Sequence, residues 1–231
     1  MEVDLNCDLG EGAGSDAAII PLITSANVAC GFHAGSPAEA MRTIALARTH
    51  GVVIGAHPGH ADREHFGRRE LPLEPSQVYA DCVYQIGALF ALACGEQQKV
   101  KYVKPHGGLY HQANRDDRYA EAVVAAAQLF GLIVMGLPGS RLEAIAAGRC
   151  PFVAEGFADR HYRPDGSLIP RDQSNAFIDD PSEVVRQVEW LLRERGVRTI
   201  CVHGDNPKAL VFVQALREAL LGKGFTIRPF A

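Results

Sequence analysis

Thr199-Ile-Cys-Val-His-Gly-Asp205 is an apolar, β-branched run that stops in a histidine and an aspartate on either side of a glycine. The same thing recurs along the chain, where short runs of small or β-branched residues end near Asp8, His33, His57, His106 and Asp159, each followed closely by Gly, Pro or a loop. Parallel strands of α/β folds gather their working groups at their C-terminal ends, where the loops shape a pocket over a rigid scaffold. The repeated pattern therefore predicts an enzyme with its site at one end of a barrel.

Apolar periodicity and punctuation give seven candidate strands, 2–8, 25–31, 52–58, 99–106, 132–138, 151–158 and 199–205. Helical patterns lie between most of them, at about 36–50, 75–95, 115–130, 139–148, 181–196 and 207–223. Ser36-Pro37 and Asp180-Pro181 read as a cap followed by proline in the first turn, and Gly51, Gly131, Gly148 and Gly196 as helix ends. Alternation of this kind implies parallel strands joined by right-handed crossovers. No dinucleotide or phosphate-loop glycine motif occurs, since Gly10-Glu-Gly-Ala-Gly14 has the wrong spacing. The fold expected is a single α/β domain over 1–231, a TIM-like seven-stranded parallel β/α barrel. Asp16 to Thr24, short and containing Pro21, is its weakest crossover.

Bulk properties exclude several functions. A chain of 231 residues with 47% hydrophobic and 22% charged residues is ordinary globular material. A net charge of -4 provides no basic stripe for nucleic acid. No apolar run approaches membrane-spanning length, and the start Met1-Glu-Val-Asp-Leu has no basic segment before an apolar one, so no membrane helix and a cytoplasmic location are expected. The six cysteines form no C-x-x-C pair and read as small buried hydrophobes, with Cys201 alone placed to reach the pocket.

Strand parity sorts the polar residues. Asn6 with Asp8, Asn27 with His33, Lys104 with His106, Glu155 with Asp159 and His203 with Asp205 fall on one face, while Leu5, Cys7, Val28, Cys30, Val103, Ile200 and Val202 fall on the other. The polar set is expected to converge inside the barrel mouth. A single histidine at a strand end is more often structural than catalytic, but so many ionisable groups on one face are costly unless paired or used. The candidate catalytic residues are Asp8, His33, His57, Lys104, His106, Glu155, Asp159, His203 and Asp205. Long loops after the third and sixth strands, 59–70 and 160–171, overhang the same end, the second with a hairpin signal at Asp165-Gly166. They offer Arg63, Arg68, Arg69, Arg160 and Arg163 to a substrate carboxylate, with Asn6, Glu11 and Asn27 as further binding candidates. Histidines and carboxylates together can hold a divalent metal or act as acid and base toward an amide, so hydrolysis or ring opening of a C–N bond follows, with or without metal.

Asp4-Leu-Asn-Cys-Asp-Leu-Gly-Glu-Gly12, Ser25-Ala-Asn-Val-Ala-Cys-Gly-Phe-His-Ala-Gly35, Ile54-Gly-Ala-His-Pro-Gly59, Val103-Lys-Pro-His-Gly-Gly-Leu-Tyr110, Glu155-Gly-Phe-Ala-Asp-Arg160 and Cys201-Val-His-Gly-Asp205 resemble, in order and over nearly the whole chain, the signatures of the LamB/YcsF family. The resemblance implies a barrel similar to that of polysaccharide deacetylases. It also implies the A-type subunit of an ATP-dependent 5-oxoprolinase, which opens 5-oxoproline to L-glutamate with two partner subunits of B and C type. The chain carries no phosphate loop of its own, so ATP is expected to be consumed on the partners. His60 and Ser174-Asn175 depart from the family pattern on presumed mouth loops. A self-sufficient metal-dependent deacetylase or amidohydrolase, and a non-catalytic lactam- or sugar-binding component, remain open beside the oxoprolinase reading.

Overall fold

Parallel strands β1 (Glu2–Leu9), β2 (Ser25–Ala29), β3 (Val53–His57), β4 (Val100–Val103), β5 (Ile133–Gly136), β6 (Phe152–Phe157) and β7 (Thr199–Val202) follow one another around a barrel in the computed structural model, which describes residues 1–164, 166–178, 180–204 and 208–231. Strand β1 closes it, pairing Asn6 with Ser25 of β2 on one side and Asp4 with Thr199 of β7 on the other. The seven-stranded α/β barrel read from the sequence is thus the observed architecture. An eighth strand of two residues, β8 (Thr226–Ile227), was not anticipated and pairs with Glu2 and Val3 at the start of β1.

The crossovers are α1 (Asp16–Ile19) with a short 3-10 turn at Ile20–Leu22, then α2 (Pro37–His50), α3 (Pro75–Gly95), α4 (Gly107–Arg115), α5 (Asp117–Leu129), α6 (Arg141–Ala146), α7 (Pro181–Glu194) and α8 (Ala209–Gly222). Cap chemistry explains the boundaries. The Ser36 hydroxyl accepts from Glu39 N ahead of α2, and Gly51 ends that helix at φ 67°. The helix expected over 115–130 is α5, which starts at Asp117 because the Asp116 side chain caps it by accepting from Arg118 N. Helix α4, starting at the Gly107-Gly108 pair, falls between the expected strand over 99–106 and the expected helix over 115–130. Helix α3 is long and apolar enough, by length and composition alone, to cross a membrane, against the expectation from the sequence. Here one of its faces packs Val78, Cys82, Ile86, Leu89 and Ala93 into the core around the barrel.

Strand parity holds. Leu5, Cys7, Val28, Val103, Ile200 and Val202 pack into the core between sheet and helices. The opposite face fills the barrel with polar groups, where branched apolar residues usually dominate. At the bottom, Tyr102, Met135 and Val153 pack together. The Thr24, Ser25 and Thr199 hydroxyls all donate to the buried Asp4 carboxylate, and Asn6 donates to Thr199 Oγ1 at 2.7 Å. Tyr102 Oη donates to Asn27 Oδ1 at 2.7 Å, which demands glycine at position 55, since a Cβ there would lie 2.1 Å from the Tyr102 ring.

Candidate active site

Lys104 lies one residue past β4, and its ammonium is 2% exposed at the floor of the mouth. Its Nζ donates to Asp8 Oδ1 at 2.9 Å, lies 2.7 Å from Glu155 Oε1 as an ion pair, and is 3.1 Å from Cys201 Sγ. Burial disfavours the charge, but the carboxylates, Asp8 foremost, hold Lys104 protonated and its pKa well above the usual lysine range. Burial likewise pushes the Asp8 carboxyl up, yet Lys104 and then His57 outweigh it and keep Asp8 ionised well below the usual carboxylate range. Burial raises the Cys201 thiol far above its ordinary value, which disfavours a thiolate nucleophile there.

Three histidines stand to one side of Asp8. His57 Nδ1 donates to Lys104 O at 2.7 Å, and His106 Nε2 donates to Phe66 O at 2.8 Å. Phe66 is in the left-handed region at φ 54°, and that conformation aims its carbonyl at His106. His57 Nε2 and His106 Nδ1 face each other at 3.0 Å, with Glu11 Oε1 at 3.8 and 3.4 Å from them and Asp8 Oδ2 at 3.5 Å from His57. His33 stacks on His106 with centroids 3.8 Å apart and reaches Glu11 Oε1 through Nε2 at 3.0 Å. Burial, reinforced by the neighbouring rings, lowers the pKa of His33 and His106 well below the usual value, so both are neutral. Glu11, His33, His57 and His106 form a buried group that could hold a divalent ion. The loop carrying Glu11 is tied down by Asp16, whose Oδ2 accepts from Gly10 N at 2.9 Å and Thr43 Oγ1 at 2.7 Å.

On the other side, His203 Nδ1 meets both oxygens of buried Asp159, at 3.0 and 3.2 Å, and its ring stacks on Phe157 at 5.2 Å. The carboxylate fixes the protonated nitrogen on the Asp159 side and leaves Nε2 as the ring's second nitrogen. Between the two groups opens a cavity of about 530 Å³ lined by Asp8, His57, Lys104, His106 and His203, with Arg68, Arg69, Arg160 and Arg171 around it.

The structure brings the candidate residues together at one end of the barrel, and fewer of them line the cavity than the sequence suggests. His33, Glu155 and Asp159 stand behind His106, Lys104 and His203 instead of lining it, since each is buried against its partner. Asn6 and Asn27 do not line the cavity but belong to the barrel network, where Asn27 donates to Asp8 Oδ1 and to Asn6 Oδ1, both at 2.7 Å. Glu11 joins the histidines instead of the cavity wall. Arg63 donates to the carbonyls of Gly31 and Gly35 and so staples loops, and Arg163 is exposed outside the cavity. His60 is buried and bonds Gln112 Oε1 at 2.6 Å, anchoring its loop. The hairpin is present as an antiparallel bridge between Tyr162 and Leu168, while Asp165 and Asp205 lie outside the described residues. The reading missed Tyr110, His111 and Arg171 in the wall. The Arg171 signal was available, because it ends the same long loop as Arg160. Helix α4, which brings Tyr110 and His111, was not recognised.

Among solved structures the barrel is similar to a family 4 carbohydrate esterase from Streptomyces lividans, at 12% identity and TM-score 0.58 over 100% of this chain and 93% of that one. It is also similar to a putative cellobiose-phosphate cleavage protein from Enterococcus faecalis, at 12% identity and TM-score 0.62 over 98% and 96%. At that identity the likeness concerns the fold alone. A lactam utilization protein from Thermus thermophilus matches at 41% identity and TM-score 0.92 over 100% of both chains. The model of the LamB/YcsF family matches residues 3–231, and the chain belongs to that family.

Proposed function

We propose that this chain opens the lactam ring of 5-oxo-L-proline to L-glutamate as the A-type subunit of an ATP-dependent 5-oxoprolinase. The observation that carries the reading is the Asp159–His203 pair set across the cavity from Asp8 and Lys104. Family membership and the lactam utilization protein at 41% identity direct that hydrolytic geometry toward a cyclic amide.

The roles follow from the contacts. Asp8, kept ionised by Lys104, orients or deprotonates the water that attacks the lactam carbon. Lys104 stabilises the negative charge on the lactam oxygen or on the phosphate it carries. His203, positioned by Asp159, delivers a proton to the departing ring nitrogen. His106 suits that role less, because its Nε2 is committed to Phe66 O and its Nδ1 to the histidine group. The arginines at the rim suit the substrate carboxylate. Opening this ring is uphill near neutral pH, and the chain has no phosphate loop. Two partner subunits would therefore spend ATP to activate the lactam, most simply by phosphorylating its oxygen; water adds to the ring carbon, the C–N bond breaks to leave a glutamyl phosphate, and a second water releases inorganic phosphate.

The deciding experiment measures glutamate formation and 5-oxoproline-dependent ATP hydrolysis by the partner subunits with and without this chain. Glutamate is expected only with all components present. Ring opening at full rate without this chain, or none with it, refutes the proposal.

A further inference from the structure

The two imidazole nitrogens that face each other beside Asp8 belong to rings whose outer nitrogens are each held by a backbone carbonyl. His57 Nδ1 donates to Lys104 O and His106 Nε2 to Phe66 O, which turns His57 Nε2 and His106 Nδ1 toward each other, 3.0 Å apart. A carboxylate oxygen, Glu11 Oε1, closes on the same point from 3.4 and 3.8 Å, and Asp8 Oδ2 stands 3.5 Å from His57. Histidines whose second nitrogen is fixed by a carbonyl are the usual arrangement around a protein-bound metal.

The spacing sets the geometry. A tetrahedral ion with bonds of about 2.0–2.1 Å has ligand-to-ligand edges near ~3.4 Å. The separations of 3.0, 3.4 and 3.8 Å among His57 Nε2, His106 Nδ1 and Glu11 Oε1 scatter about that value. The orientation of the rings decides which histidines take part. His57 and His106 are perpendicular, at 90°, so one point can lie in both ring planes. His33 and His106 are parallel within 4° and stacked, so an ion in the plane of one lies well off the plane of the other. His33 is therefore a positioning residue, which holds Glu11 through its Nε2 contact of 3.0 Å.

We propose that Glu11, His57 and His106 form a site for a divalent transition-metal ion of the zinc class. Two imidazoles exclude the all-oxygen shells that calcium and magnesium prefer. A second acceptor group, Asp8 with Cys201 and His203, is not a competing site. The Lys104 ammonium already fills it, 2.9 Å from Asp8 Oδ1 and 3.1 Å from Cys201 Sγ. The inference stands on side-chain geometry and holds whichever substrate the cavity takes.

The test is a zinc titration of the chelator-treated full chain, with bound metal counted by elemental analysis and cobalt substituted for its visible spectrum. A single equivalent is expected, with a tetrahedral cobalt spectrum. Glu11→Gln and His57→Ala should abolish it, His33→Ala should weaken it by about 10–100-fold, and Cys201→Ser should leave it unchanged. Glu11→Gln is near-isosteric and keeps the test open should His57→Ala fail to fold. A folded wild-type chain that takes up no zinc overturns the proposal, as does full affinity in Glu11→Gln. So does a thiolate-to-cobalt band that Cys201→Ser removes, because it would put the ion in the other group.

Discussion

Replacing Lys104 by methionine keeps the aliphatic length of the side chain and deletes its charge. Two carboxylates then lose their counter-ion, Asp8 at 2.9 Å and Glu155 at 2.7 Å, with side chains 7% and 0% exposed. Breaking a buried pair by removing one partner costs about 3–5 kcal/mol, because the remaining charge is neither solvated nor matched. In a chain of this size each kcal/mol is worth about 2–4 °C, so the melting temperature should fall by roughly 6–20 °C. The assay is calorimetric unfolding of wild type, Lys104→Met and the double variant Lys104→Met, Glu155→Gln. The double variant removes one of the stranded charges and leaves Asp8 with Asn27 and His57, so it should recover a large part of the loss. A single variant within about 2 °C of wild type, or a double variant melting lower than the single, would show that Lys104 is not the counter-ion on which this interior depends.

Four further outcomes follow from other contacts. Asp159→Asn and His203→Ala should each lower glutamate formation by the reconstituted complex by roughly 10²–10⁴-fold with circular dichroism unchanged, and near-normal rates in both would remove the pair from the chemistry. Arg68→Met, in the cavity wall, should raise the 5-oxoproline concentration needed for half-maximal turnover, whereas Arg163→Met, outside it, should not; equal behaviour of the two would refute the carboxylate role of the rim. Burial, opposed only in part by the Ser25, Thr199 and Thr24 hydroxyls, raises Asp4 from 3.8 to about 6, so the folded state takes up a proton that the unfolded chain releases; this contribution is complete below the unfolded value and is lost as pH rises through about 6. It amounts to on the order of 3 kcal/mol, and Asp4→Asn should flatten that part of the stability curve between about pH 4 and 7, whereas curves parallel to wild type would count against it. Finally, Gly55→Ala sets a methyl group 2.1 Å from the Tyr102 ring inside the barrel, and should destabilise by at least the ~1–3 kcal/mol of ordinary overpacking, measured by denaturant unfolding.

How far the sequence could be read depended on whether a residue's position followed from its own strand. Asp8 and Glu155 lie within β1 and β6, and Lys104 and His203 one residue beyond β4 and β7, so strand parity correctly turned them inward. His33 lies four residues beyond the end of β2, where parity has no force, and its place behind His106 depends on the loop holding Gly59 and Gly67. A Cβ on Gly67 would lie 2.5 Å from that of His33, a proximity between distant segments that no local pattern reveals. The arginines show the same limit. Arg63 and Arg68 sit five positions apart in one loop, yet the first staples carbonyls and the second faces the cavity, because the 3-10 turn at Arg63–His65 reverses the chain between them. Helix α4 escaped because its opening glycines are poor helix formers. Gly108 is nevertheless required, since a Cβ there would lie 2.1 Å from Arg69 O. Tertiary packing overrode local propensity at the element that carries Tyr110 and His111.

Position 104 acts on both halves of the site through different atoms. Its ammonium fills the acceptor group formed by Asp8, Glu155 and Cys201, and its backbone carbonyl fixes the tautomer of His57 on the other side of Asp8. The two roles are separable, because methionine at 104 deletes the first and keeps the second. Loss of the ammonium should therefore destabilise the barrel interior without releasing the His57 ring. Asp8 joins the halves, with Oδ1 on the lysine and Oδ2 toward His57. A carboxylate held from two sides cannot rotate away from the cavity. The polar interior that costs this barrel ordinary apolar packing thus fixes Asp8 where water and an amide carbon would meet it.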